Sequence, residues 1–145
     1  MRTVREIMTT DCITATQQDN IYELACMMKN NDIGFVPVVE GKKLIGVVTD
    51  RDLVVRGYAQ KHSGSTSAAE VITTDIETVD PSASVDEAAH KMASSQIRRL
   101  PVVENGELLG IVAIGDLAIR EIFADNAGEA LSHISEQDNQ PSAVH

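Results

Sequence analysis

The chain contains the same unit twice. Displaced by 64 positions, residues 4–56 align with residues 68–120 without a gap, and 19 positions in that window are identical. TTD (9–11) meets TTD (73–75), and PVVE (37–40) meets PVVE (101–104). GVVTDRDL (46–53) meets GIVAIGDL (110–117), keeping Gly46 and Gly110, Asp52 and Asp116, but exchanging Thr49 for Ala113. A repeat of this size is one supersecondary unit, too small to bury its apolar face alone, so two copies are expected to complete each other.

Within a copy, Ile21, Leu24, Ala25 and Met28 stand at i, i+3, i+4 and i+7, and Val85, Ala88, Ala89 and Met92 repeat the stripe. Each predicts an amphipathic helix. Asn20 with Glu23, and Ser84 with Glu87, fit an N-cap answered by a returning carboxylate. Two β-rich runs follow, FVPVVE and KLIGVVT in the first copy, RLPVVE and ELLGIVA in the second. Gly41-Lys42 and Asn105-Gly106 separate them, the latter a strong hairpin signal. A second helix is expected in DRDLVVRGYAQ and GDLAIREIFAD, and a first strand near CITAT (12–16) and IETVD (76–80). The unit thus reads strand, helix, strand, strand, helix, an α/β class. The boundaries are 1–60 for the first unit, 61–67 for a Gly/Ser/Thr linker, 68–124 for the second unit, and 125–145 for a polar tail with a short helix in AGEALSHI.

Charge and composition exclude several functions. The formal charge of −10 argues against attraction to nucleic acid phosphates or anionic lipid, so an anionic ligand would need a local cluster of cations. Aromatic residues make up 3% with no Trp, so Val, Ile, Leu, Ala and Met must build the core. Cys12 and Cys26 form no CxxC and no Cys/His ligand spacing, which points to a reducing compartment without disulfides. His62, His90, His133 and His145 are scattered, and no metal site is expected. MRTVREIMTTD has no long apolar core, so neither a signal peptide nor a membrane span is read, and a cytoplasmic location is expected.

The gapless duplication, with PVV before a hairpin and G-h-h-T-x-x-D after it (h, hydrophobic), closely resembles a CBS domain. Two in tandem resemble a CBS pair, or Bateman module, over roughly residues 1–122. That resemblance implies two units packed sheet against sheet with pseudo-twofold symmetry, two clefts that often take adenosine-containing ligands, and assembly into a flat homodimer. It implies an adenine nucleotide (AMP, ADP or ATP type) as regulatory ligand, with no required cofactor, no catalysis, and a protein partner acted on in trans. By the same resemblance Asp52 holds the ribose hydroxyls and Thr49 contacts phosphate or ribose. Arg51, Thr74, Ile76, Thr78, Ile97, Arg98, Arg99 and Pro101 complete that cleft. A second, weaker cleft would use Thr10, Ile13, Gly34, Phe35, Ala113 and Asp116.

The chemistry suits these roles without deciding them. A carboxylate can accept both hydrogen bonds of a cis-diol, and guanidinium forks match phosphate oxygens. Yet T-x-x-D is nearly a capping box, so Thr49 and Asp52 could instead cap the helix beginning at Asp50. Arg98 and Arg99 could be a solvated charge pair. Asp50 and Asp52 after LIGVV resemble the nucleophile strand of aspartyl-phosphate phosphohydrolases, but the second copy reads I-G-D there, which disfavours that enzyme. A ligand-free dimerisation scaffold is the alternative to a sensor.

Overall fold

The computed structural model describes residues 2–119, so the tail, its expected AGEALSHI helix and the end of the second DL helix fall outside the described residues. Along the chain run α1 (Val4–Ile7), α2 (Ile21–Asn31), β1 (Phe35–Glu40), β2 (Lys43–Thr49), α3 (Asp50–Asp52), α4 (Val85–Ser95), β3 (Arg99–Glu104), β4 (Glu107–Ala113) and α5 (Ile114–Ile119). The helix begun by α3 continues as a π turn over Leu53–Gly57 and a 3₁₀ turn over Tyr58–Gln60.

Helix α2 starts where its cap predicts. Asn20 Oδ1 accepts the Glu23 N–H at 2.8 Å, and Glu23 Oε1 accepts the Asn20 N–H at 3.0 Å. The next free amides, Ile21 and Tyr22, donate to the carbonyls of Thr66 (2.9 Å) and Gly64 (3.0 Å). The segment expected to be a linker therefore docks on the helix start, supplying acceptors that the first turn lacks. Ser84 Oγ accepts the Glu87 N–H of α4 at 3.1 Å. Both helices end in a left-handed residue, Asp32 (φ 53°) and Gln96 (φ 55°). All four stripe residues of α4 are buried, whereas in α2 Leu24 and Met28 are buried, Ile21 is partly buried and Ala25 faces solvent. The α2 stripe is thus narrower than its spacing suggested.

Strands β1 and β2 are antiparallel, with Phe35 opposite Thr49 and a bulge between Val38 and Val39. β3 and β4 are hydrogen-bonded neighbours joined through Asn105 (φ 54°) and Gly106 (φ 82°), two positive φ values in succession as a type I′ turn requires. The expected first strands shrink to single parallel bridges, Ala15 with Val38 and Val79 with Val102. At each, only the one inward residue is held: Ala15 N–H donates to Pro37 O (2.9 Å), and Val79 N–H to Pro101 O (3.0 Å).

The chain forms two compact units whose boundaries differ from those of the repeats. One comprises Cys12–Ile76 with the hairpin tip Gly106–Leu108, where Leu44 N–H donates to Gly106 O at 3.0 Å. Among the described residues, the other comprises 2–11, Glu77–Asn105 and 109–119. The leading segments have exchanged places, because each packs on the other copy's helix and hairpin. The core of the first unit is Ala15, Leu24, Met28, Val36, Val38, Val48, Ala68 and Val71. Displaced by 64 positions in either direction, these residues become Val79, Ala88, Met92, Leu100, Val102, Val112, Val4 and Ile7, all core residues of the second unit. One packing solution is therefore built twice from the same register.

Candidate functional site

The end of β2 and the start of α3 bring the T-x-x-D residues together. Thr49 Oγ1 accepts the Asp52 N–H at 3.1 Å, and Asp52 Oδ2 accepts the Thr49 N–H at 2.9 Å. This is the reciprocal capping box that the spacing allowed. The Asp52 side chain is 16% exposed and gathers further donors: Thr73 Oγ1 donates to it at 3.4–3.5 Å, and Arg56 Nε stands 3.9 Å from Oδ1. Arg56 also donates from Nη1 to Ile72 O at 2.9 Å, so it ties the second copy's leading segment to the helix. That segment is clamped on β2 by paired bonds between Val47 and Thr73, 2.9 and 2.8 Å long.

The second unit keeps half of this arrangement. Asp116 Oδ2 accepts the Ala113 N–H at 2.9 Å, and Thr9 pairs with Ile111 through bonds of 2.8 and 2.9 Å. The carboxylate cap survives because it needs only a main-chain N–H at position 113. The hydroxyl half, which Ala113 cannot make, is gone. The repeated glycine has an equally local cause: a Cβ on Gly46 would stand 2.7 Å from Thr73 O, and one on Gly110 would stand 2.6 Å from Thr9 O. Close backbone approach demands glycine at both positions.

The expected binding residues divide between the units. Thr49, Arg51, Asp52, Thr74 and Ile76 belong to the first; Thr78, Ile97, Arg98, Arg99 and Pro101 belong to the second. Of the weaker set, Ile13, Gly34 and Phe35 lie in the first unit, and Thr10, Ala113 and Asp116 in the second. Within the first unit, Gly34 and Phe35 are neighbours of Thr49 and Asp50, for Asp50 N–H donates to Gly34 O at 3.0 Å and Phe35 pairs with Thr49. Within the second, Ile114 N–H donates to Arg98 O at 2.8 Å. The Asp50 carboxylate lies 2.8 Å from where a Gly34 Cβ would be, so a side chain there would require this exposed carboxylate to turn aside. The second copy has Ile114 in place of Asp50 and carries Arg98 at the matching position.

Thr74 is exposed, whereas its neighbour Thr73 turns toward Asp52, because successive residues of an extended segment face opposite ways. Thr73 and Arg56 were not among the expected site residues. Their identity with Thr9 and Arg120 in the other copy was the available signal. Asp50 is exposed, and its Oδ1 accepts the Arg51 N–H at 2.8 Å, an ordinary first-turn role. Among the described residues no group of three His, Cys, Asp or Glu side chains could hold a metal, and no helix is long and apolar enough to cross a membrane.

The duplicated hairpins, exchanged leading segments and paired carboxylate caps define a tandem α/β module, and the sequence matches the CBS domain model over residues 4–57 and 68–120. The chain belongs to the CBS domain family. The uncharacterized protein YlbB of Bacillus subtilis (strain 168) is 46% identical over 142 residues, covering 97% of this chain and 96% of that protein. The solved structure of CBS domain protein PAE2072 from Pyrobaculum aerophilum, complexed with AMP, has a TM-score of 0.74 at 25% identity, covering 93% of this chain and 99% of that one. The CBS domain pair of protein MJ0100, in complex with 5′-methylthioadenosine and S-adenosyl-L-methionine, has a TM-score of 0.71 at 28% identity, covering 82% and 94%. CBS pairs are regulatory modules, and some bind adenosine ligands.

Proposed function

We propose that the protein is a regulatory module that binds an adenosine-containing ligand of the AMP, ADP or ATP type and acts on a protein partner in trans. The observation carrying this reading is the Asp52 carboxylate, which is partly exposed at a helix start with Thr49 beside it. Its remaining lone pairs suit the two hydroxyls of a ribose. Arg98 and Arg99 supply phosphate-compatible charge in an otherwise acidic chain, and similar CBS proteins hold AMP or S-adenosylmethionine. The reading asks no bond-breaking of the chain. Regulation follows if the ligand prefers one arrangement of the protein over another.

Titration calorimetry with AMP, ADP and ATP, with a thermal-shift panel adding S-adenosylmethionine, NAD and cyclic dinucleotides, tests the proposal. A saturable heat with an adenine nucleotide is expected. The melting temperature should rise by about 8 °C at a hundredfold excess over Kd, from roughly 2.7 kcal/mol of linkage. Absence of heat and of any shift across the panel would leave the ligand-free scaffold as the function.

Homodimerisation belongs to the same proposal. Val54 (59% exposed), Val55 (44%) and Tyr58 (85%) form an apolar face on the helix after Asp52. A second copy of this chain is the proposed occupant. Light scattering after size exclusion should give a dimer mass, and a Val54→Asp, Tyr58→Asp variant should give the monomer. A monomeric wild-type protein at micromolar concentration would contradict it.

A further inference from the structure

Arg56 reaches two groups at once. Its Nη1 donates to Ile72 O at 2.9 Å, and its Nε stands 3.9 Å from Asp52 Oδ1. The next residue, Thr73, donates from its hydroxyl to the same carboxylate at 3.4–3.5 Å, and its main chain is bonded to Val47. Asp52, Arg56, Ile72 and Thr73 thus close a ring, and all four lie in the first unit. The ring bears on Asp52 Oδ1. Oδ2 is held by the Thr49 N–H at 2.9 Å, but a carboxylate held through one oxygen can still turn about its Cβ–Cγ bond. A cation anchored beside the other oxygen restricts that rotation.

The second copy points to a duty beyond seating the segment. Of the eight positions from 49 to 56, Asp52, Leu53 and Arg56 recur 64 residues on, as Asp116, Leu117 and Arg120, and the other five differ. The leucines are explained by the cores, in which Leu117 is fully buried and Leu53 packs at the edge. Thr73 recurs as Thr9, whereas Ile72, which contributes only its carbonyl to the ring, has become Met8. The Asp52 and Arg56 side chains are 16% and 50% exposed, and an ion pair so open to water adds little stability. Bonding a carbonyl asks only for a long donor, but a guanidinium spans the carbonyl and the carboxylate together. We infer that Arg56 is a positioning residue, which holds Asp52 with Oδ1 turned to receive a ribose hydroxyl and raises affinity for adenosine without touching it. The inference rests on the reading of the protein as an adenosine-ligand module with Asp52 as its ribose acceptor. An acceptor already oriented loses less freedom when the ligand arrives.

The test titrates adenosine and AMP calorimetrically into the full chain and into Arg56→Met, Arg56→Lys, Asp52→Asn and the Asp52→Asn, Arg56→Met double variant, with melting temperatures recorded alongside. Arg56→Met is expected to weaken both compounds by about three- to fivefold, as for a half-exposed ion pair, and Arg56→Lys to recover part of the loss. In Asp52→Asn the Thr49 N–H retains the amide oxygen, so an NH₂ replaces Oδ1 before Arg56. Arg56→Met should then cost no further affinity in that background. The same loss in both backgrounds would overturn the inference, because Arg56 would then act only by seating the Ile72–Thr73 segment, whatever the melting temperatures. Unchanged affinity in Arg56→Met would also overturn it, and so would a loss confined to AMP, which would make Arg56 a phosphate contact. All three outcomes leave the nucleotide reading standing. A wild-type protein that binds neither compound, or an Asp52→Asn protein that binds both fully, would overturn the reading on which the inference rests.

Discussion

Gly110→Ala should destabilise the protein by about 3 kcal/mol, and Gly46→Ala by a similar amount, at the upper end of overpacking costs. The added methyl at 110 would stand 2.6 Å from Thr9 O and 3.0 Å from Met8 Sδ. The sulfur can move, but Thr9 O accepts the Ile111 N–H at 2.9 Å and is held by that bond. At position 46 the new methyl meets the Ile72 side chain and Thr73 O, which is likewise bound to Val47 N–H. Relief therefore means breaking the bridge that seats an exchanged leading segment. Urea and thermal unfolding should register each change, with a melting temperature lower by roughly 10 °C. Gly115→Ala is the control: nothing lies within 4 Å of its Cβ position on α5, and a gain of up to about 1 kcal/mol is expected from helix propensity. A Gly110→Ala protein that melts with the wild type would show that the Met8–Thr9 segment can shift freely.

Two substitutions at position 52 should separate structure from binding. Asp52→Ala removes the acceptor of the Thr49 N–H, of the Thr73 hydroxyl and of Arg56, and should lower stability by about 2 kcal/mol. Asp52→Asn keeps an oxygen for the Thr49 N–H and should stay within about 1 kcal/mol of the wild type. Both should weaken adenosine and AMP alike by about tenfold or more, since an amide offers a ribose diol one acceptor where a carboxylate offers two. Chemical denaturation and calorimetry on the same preparations read the two effects separately. Full nucleotide affinity in Asp52→Asn would reduce the carboxylate to a helix cap.

Much of this fold was legible in the sequence, because the duplication let each signal be read twice. The caps at Asn20 and Ser84, the stripe of α4 and the Asn105-Gly106 turn are local features, and local chemistry suffices to place them. The exchange of leading segments was not legible. Self-alignment says that Val4 corresponds to Ala68, but both assignments of segment to hairpin satisfy the same pattern. Packing breaks the tie, with Val4 and Ile7 in one core and Ala68 and Val71 in the other. CITAT and IETVD have strand-like composition, yet only Ala15 and Val79 make ladder bonds, because Pro37 and Pro101 beside their partners have no N–H with which to extend the ladder. At the candidate site, Thr49 and Asp52 were found by motif. Arg56 was missed because its reach to Ile72 O depends on a π turn, which no periodicity announces.

The exchanged segments also impose an order of events on synthesis. The first core needs Ala68 and Val71, so it can close once the chain has emerged just past the first repeat. Val4 and Ile7 are made before any of this, yet their partners run from Val79 to Leu117. Val4 and Ile7 therefore leave the ribosome before any of their partners, and the first core has all its members while they still lack theirs.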